Sequence, residues 1–433
     1  MATREPVETE GGLRASLSLL RRNSDFRKLY LASAISLGGD WFLVVALFGL
    51  ALELTGSAVS VALVIASMEI PYFLMSPVGG YVTDRLDRRR LMVACDVARA
   101  VLCLGFPFVR DVGTMWVAYV LLAAISGFSA AFHPASSAAF PNLVERRDLA
   151  PANALFGSLW GTMLAVGAAL GGLVAAGLGR DAAFLIDAAT FAVSGLLIAR
   201  IRRPLSEYRP EEEHPGIVQA TVETARYARR DHRVLALLTV KAGFGLSAGV
   251  IVLLSVFGEE VFGLGDVGIG ILMAARGVGA LIGPFIGTSL AGPQDRRLFA
   301  AIGLALAVFG VGYGLLGLMP SLLLASLAVA LAHLGGGAQW VLSSYGLQRV
   351  VPDRIRGRIF AFDAALITLT LTASSLATGW AATAFGPRPT AIGLGVVAVC
   401  YAATWMWFTT DVRRATTLEG CAPASGVELV AET

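Results

Sequence analysis

Long apolar runs, broken by short polar punctuation, set the pattern of this chain. Runs at 27–54, 57–79, 91–109, 114–138, 153–177, 182–199, 234–257, 267–290, 298–318, 321–345, 359–384 and 389–409 hold few charges. A helix rising about 1.5 Å per residue needs about 20 such residues to cross a bilayer core, so the pattern predicts twelve membrane-spanning helices. Short loops such as "RDVGT" (110–114) and "GPQDRR" (292–297) separate most of them. One polar stretch, 200–233, is longer and contains "RPEEEHPG". It divides the chain into a cytoplasmic N-terminal tail (1–26), a six-helix bundle (27–199), a cytoplasmic linker (200–233), a second six-helix bundle (234–409) and a disordered cytoplasmic tail (410–433). Within the linker, "IVQATVETARYARR" (217–230) reads as a short amphipathic helix lying on the membrane surface.

Composition strengthens this reading. Of 433 residues, 56% are hydrophobic and only 15% charged, against about a quarter charged in a soluble protein. The 49 glycines suit close helix–helix approach in lipid. With the N-terminus placed in the cytoplasm, 28 of the 34 Lys and Arg fall in cytoplasmic loops and tails. Arg110, Arg180 and Arg388 fall outside, and Arg99, Lys241 and Arg276 lie within spans. Basic residues concentrate on the inner face of membrane proteins, so both termini are expected in the cytoplasm of a multi-pass plasma-membrane protein. The start "MATREPVETEGG" is polar and acidic, unlike a signal peptide. Cys95, Cys103 and Cys400 lie in spans and Cys421 in the tail, which implies no disulfide framework.

The two halves repeat. At an offset of 207 residues, "GGYVTDRLDRRRL" (79–91) lies over "IGTSLAGPQDRRL" (286–298). Tandem six-helix units joined by a cytoplasmic linker are the plan of transporters that rock two halves around a site. The stretch "GYVTDRLDRR" (80–89) resembles the cytoplasmic signature Gly-x-x-x-Asp-Arg-x-Gly-Arg-Arg of the major facilitator superfamily, matched at Gly80, Asp84, Arg85, Arg88 and Arg89. Asp87 stands where that signature has its second glycine. "RNSDFRKLYLASAISLGGDW", "CDVARA", "FPNLVERRDLAPANAL", "AFLIDAATF" and "LQRVVPDRIRGRIF" are similar to the macrolide-efflux and enterobactin-exporter-like branch. The resemblance implies an all-α membrane protein of twelve transmembrane helices in two pseudo-symmetric bundles, the major facilitator fold. It also implies that the Asp84–arginine cluster latches the cytoplasmic side, where topology-setting charge is the plainer alternative. "GAALGG" (167–172) resembles an antiporter element with Ala168 in place of proline, and Gly167, Gly171 and Gly172 are expected to let the eighth helix approach.

Charges inside the spans are the candidate chemistry. Asp40 lies 12 residues past Lys28, roughly 18 Å along the helix and near mid-bilayer. Glu69 and Arg276 sit at similar depth and at equivalent positions of the repeat. Each costs at least about 2.5–3.5 kcal/mol facing lipid, so each should face protein or water. Ser33, Ser36 and Asp40 form a polar stripe on the first helix, and Ser126, Ser129 and His133 one on the fourth. In the family fold such stripes line the substrate cavity. The proton-coupling candidates are Asp40, Glu69 and His333, and the cavity candidates Ser36, Asp40, Trp41, Arg276, His333 and Trp340. Asp96 and Arg99, one turn apart, read as a structural pair; Lys241 reads as snorkelling to the interface, and Asp187 as a brace near the outer face.

Four scattered histidines lack metal-ligand spacing, and no Gly-x-x-x-x-Gly-Lys-Ser/Thr loop occurs, so no metal, no cofactor and no nucleotide hydrolysis are expected. The expected function is secondary active export of a small amphiphilic molecule of the drug, antibiotic or siderophore class. The coupling expected is proton antiport by a monomer in contact with membrane lipids, without nucleic acid and without enzymatic activity. The alternatives are an importer or lysophospholipid flippase of the same fold, or a non-transporting membrane receptor or scaffold.

Overall fold

The computed structural model describes residues 12–205, 226–291 and 295–414. Most of the amphipathic segment expected at 217–230, the ends of both tails and part of the 292–297 loop lie outside the described residues. Twelve described helices are long and apolar enough to cross a membrane, at the positions that hydropathy predicts. The first half contains α1 (Gly12–Arg22), α2 (Ser24–Thr55), α3 (Ala58–Arg85), α4 (Arg88–Cys103), α5 (Met115–Ala139), α6 (Leu149–Leu178) and α7 (Arg180–Ala199). The second contains α8 (His232–Ser247), α9 (Val250–Val256), α10 (Gly265–Ala291), α11 (Asp295–Leu316), α12 (Leu322–Val350), α13 (Asp353–Phe385), α14 (Pro387–Phe408) and the short α15 (Thr410–Arg414). Together they give the all-α, twelve-span architecture expected.

Two compact units emerge from the packing. One comprises residues 1–50 and 67–210, the other residues 51–66 and 211–433. Residues 51–66, the end of α2 and the start of α3, therefore belong with the second unit, where Gly379 of α13 packs on Ala58 and Val59. Leu74, Val97, Val101, Trp116 and Val120 are among the large apolar residues exposed on the first unit, as lipid-facing positions require.

Three features depart from the sequence reading, the first being that Thr410–Arg414, expected in the disordered tail, forms α15. Residues 12–22, expected as tail, form the helix α1, whose Ser16 and Leu19 are buried and whose Arg14, Arg21 and Arg22 flank them. The seventh span is not one helix. It breaks at Ala248 and Gly249 between α8 and α9, then ends in a π-helical turn at Phe257–Val261.

Candidate functional site

The stretch "GGDW" in α2 positions the first unit's polar centre. A Cβ on Gly38 would sit 3.5 Å from Met163 Sδ of α6, an ordinary contact. One on Gly39 would come 2.1 Å from Thr190 Oγ1 and 2.4 Å from Asp187 Oδ1, both on α7. The absence of a side chain at Gly39 is what admits Asp187 beside Asp40. Gly167 and Gly171 complete the packing, for a Cβ on either would lie 2.8 Å from the backbone of α2. These glycines pack α6 against the first span, and Gly172 is buried beside them on α6. Trp41, 8% exposed, meets Trp160 of α6 edge-on at 6.2 Å.

Asp187, expected as a brace, is fully buried. Its carboxylate accepts from the Thr190 hydroxyl at 3.1 Å and from the Cys103 thiol at 3.3 Å. Asp96 and Arg99 form the pair their spacing predicts, also fully buried. Arg99 donates to Ser129 Oγ at 3.3 Å, and its guanidinium lies 4.3 Å from the ring centres of both Phe132 and Phe191. Such stacking suits the planar, weakly hydrated guanidinium in a dry interior. The charges of Arg99 and Asp96 act on Asp40, and those of Asp40 and Arg99 on Asp187. Three helices, α2, α4 and α7, thus bring three carboxyl groups within the field of one guanidinium.

The remaining candidates of the first unit lie nearby. Ser36 is buried, and Ser33 Oγ lies 3.2 Å from Ser136 Oγ of α5. His133 Nδ1 is 3.4 Å from the Tyr72 hydroxyl, on which the Glu69 charge acts.

In the second unit a histidine is again bonded to a tyrosine, with a charge of the opposite sign near them. His333 Nε2 lies 2.6 Å from the Tyr313 hydroxyl, against the Phe309 ring, and the Arg276 charge acts on both. Lys241 does not snorkel. It is buried, paired with Asp363 of α13, and donates to Ser344 Oγ at 2.9 Å. The Trp340 ring caps its ammonium at 5.0 Å. Asp363 was missed by the sequence reading, although the test that found Asp40, a charge in an apolar run, would have found it. Tyr313, Cys103 and Thr190 carry no such signal, since only their neighbours make them notable.

The cytoplasmic signature serves partly as scaffold. Gly80 and Asp84 fall in the last turns of α3, and their side-chain surroundings lie outside the described residues. Asp87, which replaces the glycine of the signature, caps α4 by accepting from the Arg90 N–H at 2.9 Å. Arg88 is buried and donates to the carbonyls of Ala138 and Leu205 at 2.9 and 3.1 Å. Arg89 donates to the Arg203 carbonyl at 2.8 Å, and Arg85 lies over the Tyr81 ring at 4.3 Å.

Comparison with known proteins agrees with this architecture. BacE of Bacillus subtilis (strain 168), provisionally named a bacilysin exporter, is 26% identical over 386 residues, covering 88% of this chain and 93% of BacE. The multidrug efflux pump Tap of Mycobacterium tuberculosis (strain ATCC 25618 / H37Rv) is 26% identical over 398 residues, covering 88% and 93%. A bacterial homologue of the human lysosomal transporter Spinster, solved inward-facing and unoccupied, superposes with a TM-score of 0.72 at 14% identity, covering 96% of this chain and all of that one. At that identity the likeness speaks for the fold alone. The Major Facilitator Superfamily model matches residues 29–329, well over half of the chain. With twelve spans, two packed units and relatives that are transporters along nearly their whole length, the chain belongs to the Major Facilitator Superfamily.

Proposed function

We propose that this protein is a proton-coupled exporter of a small amphiphilic organic molecule, working by alternating access in the plasma membrane with both termini cytoplasmic. Membership of a transporter family and full-length similarity to BacE and Tap support export. The observation that carries the coupling is the cluster of Asp40, Asp96 and Asp187 around Arg99. Arg99 is committed to Asp96 by a direct ion pair, which leaves Asp40 and Asp187 as acids without an ion pair of their own among the described residues. Charged carboxylates in a desolvated interior need compensation, and a proton supplies it. Asp40 on the first span is the carrier, binding a proton from one side and releasing it to the other. Substrate recognition falls to Ser36 and Trp41 in one half and to Arg276, His333 and Trp340 in the other.

The test uses the purified protein in proteoliposomes with a pH-sensitive dye inside, and substrates drawn from an antibiotic panel that the protein protects cells against. Asp40→Asn should fold normally, bind substrate and lose substrate-driven proton movement. Proton flux equal to wild type would refute the assignment. Protection against no compound, with uptake or lipid movement instead, would favour the importer or flippase reading.

A further inference from the structure

A cavity of about 930 Å³ opens where α2 begins and α7 ends, on the face that the basic loops mark as cytoplasmic. Its charged walls are Arg22, Lys28, Arg200, Arg202 and Arg203 against Asp25, Glu145 and Asp148, an excess of cations. The acids are already engaged. Asp148 pairs with Arg22, and Glu145 with Arg147 at 3.0 Å. Asp25 pairs with Lys28 at 2.9 Å and accepts from the backbone N–H groups of Arg202 and Arg203 at 3.3 and 3.1 Å. Arg203 itself donates to the Leu143 carbonyl at 3.2 Å. That leaves the guanidinium groups of Arg200 and Arg202, both exposed, without an ion pair among the described residues.

We infer that this cavity holds the headgroup of an anionic phospholipid of the inner leaflet. A phosphodiester offers the oxygens that an arginine fork grips in pairs, and one or two negative charges match the cationic excess. Position argues for a lipid over a soluble anion. The cavity lies at the ends of two membrane spans, where helices leave the hydrocarbon, beside α1. That helix buries Leu19 and Ser16 in the bundle, leaves Leu17 exposed and ends on Arg21 and Arg22. An amphipathic helix of that kind lies along the headgroup layer, where a basic pocket meets anionic lipid at high local concentration. Bound there, the lipid would join α1, α2 and α7 of one bundle, whatever molecule the protein carries.

The full-length protein, in mixed micelles with phosphatidylglycerol or phosphatidylcholine, is examined by native mass spectrometry. Wild type should retain phosphatidylglycerol in preference. Arg200→Gln with Arg202→Gln should weaken that retention roughly 10- to 30-fold, and Arg200→Lys with Arg202→Lys should restore much of it. Arg413→Gln with Arg414→Gln, an equal loss of charge on the same face, should leave it unchanged. Equal loss in both glutamine pairs would mean diffuse surface attraction and overturn the site. Displacement by inorganic phosphate at matched concentration would make it a soluble-anion pocket, which also overturns the lipid assignment. A thermal midpoint for each variant separates lost binding from lost fold.

Discussion

Gly38 and Gly39 are neighbours in sequence, and their surroundings demand different things of them. A methyl at 38 meets only the tip of a flexible methionine, whereas one at 39 collides with Thr190 and Asp187. Gly38→Ala should therefore be tolerated. Gly39→Ala should lose about 1–3 kcal/mol through overpacking and displace Asp187, read as a lower thermal midpoint in detergent and impaired transport. Equal behaviour of the two variants would mean that α2 and α7 separate more easily than their packing suggests. Arg99 supports a second prediction at this scale. Removing it leaves Asp96 buried without its partner and takes the nearby positive charge from Asp40 and Asp187. Arg99→Gln should cost about 3–5 kcal/mol, as broken buried pairs do, and adding Asp96→Asn should recover part of the loss. The same thermal assay on the single and double variants checks it, and a double variant no more stable than Arg99→Gln would contradict the pairing. Asp40 was legible in the sequence because a lone charge in an apolar run is conspicuous. The importance of Asp187 was not, because it depends on Gly39, which lies 148 positions earlier.

The seventh span shows what decides the course of an element. Its sequence from Val234 to Phe257 carries no charge apart from Lys241, and hydropathy reads it as one helix. The break comes from the neighbouring helix. Ser374 of α13, 6% exposed, accepts from the Gly249 N–H at 3.1 Å and donates to the Leu246 carbonyl at 2.5 Å. One hydroxyl thus satisfies two of the backbone groups freed where α8 stops, which lipid could not do. Gly249 permits the approach, since a Cβ there would lie 2.3 Å from the Ser374 carbonyl. Ser374→Ala should expose those groups at a cost of about 1–3 kcal/mol and speed hydrogen exchange at 246–249, while Ser374→Thr keeps the hydroxyl and should behave as wild type. Unchanged exchange in the alanine variant would show that the break is held by other means. Discontinuous spans are where transporters of this kind often bind or bend. Hydropathy averages over a window, so it locates a span and is blind to a two-residue interruption within it.

At the level of the whole molecule, the repeat sets Glu69 and Arg276 at equivalent positions, and each has its own local company. Glu69 acts on Tyr72, which meets His133; Arg276 acts on Tyr313 and His333. Because each belongs to a separate compact unit with its own tyrosine–histidine pair, the two should act independently. Glu69→Gln and Arg276→Gln should each impair transport, and the double variant should show their sum to within about 0.5 kcal/mol. A coupling above that in a double-mutant cycle of transport rates would mean that they work as an ion pair. What the sequence determined by itself was the solvent and the number of crossings. Twelve apolar runs, the asymmetry of the arginines and the repeat are linear properties, because a bilayer filters each helix by its own composition. Tertiary structure decided which buried charges meet. Asp187 with Asp40, Lys241 with Asp363, and Arg88 with two backbone carbonyls all join residues more than 40 positions apart. In a low-dielectric interior the role of a charge is set by what stands within a few ångströms of it, and helix packing alone supplies those neighbours.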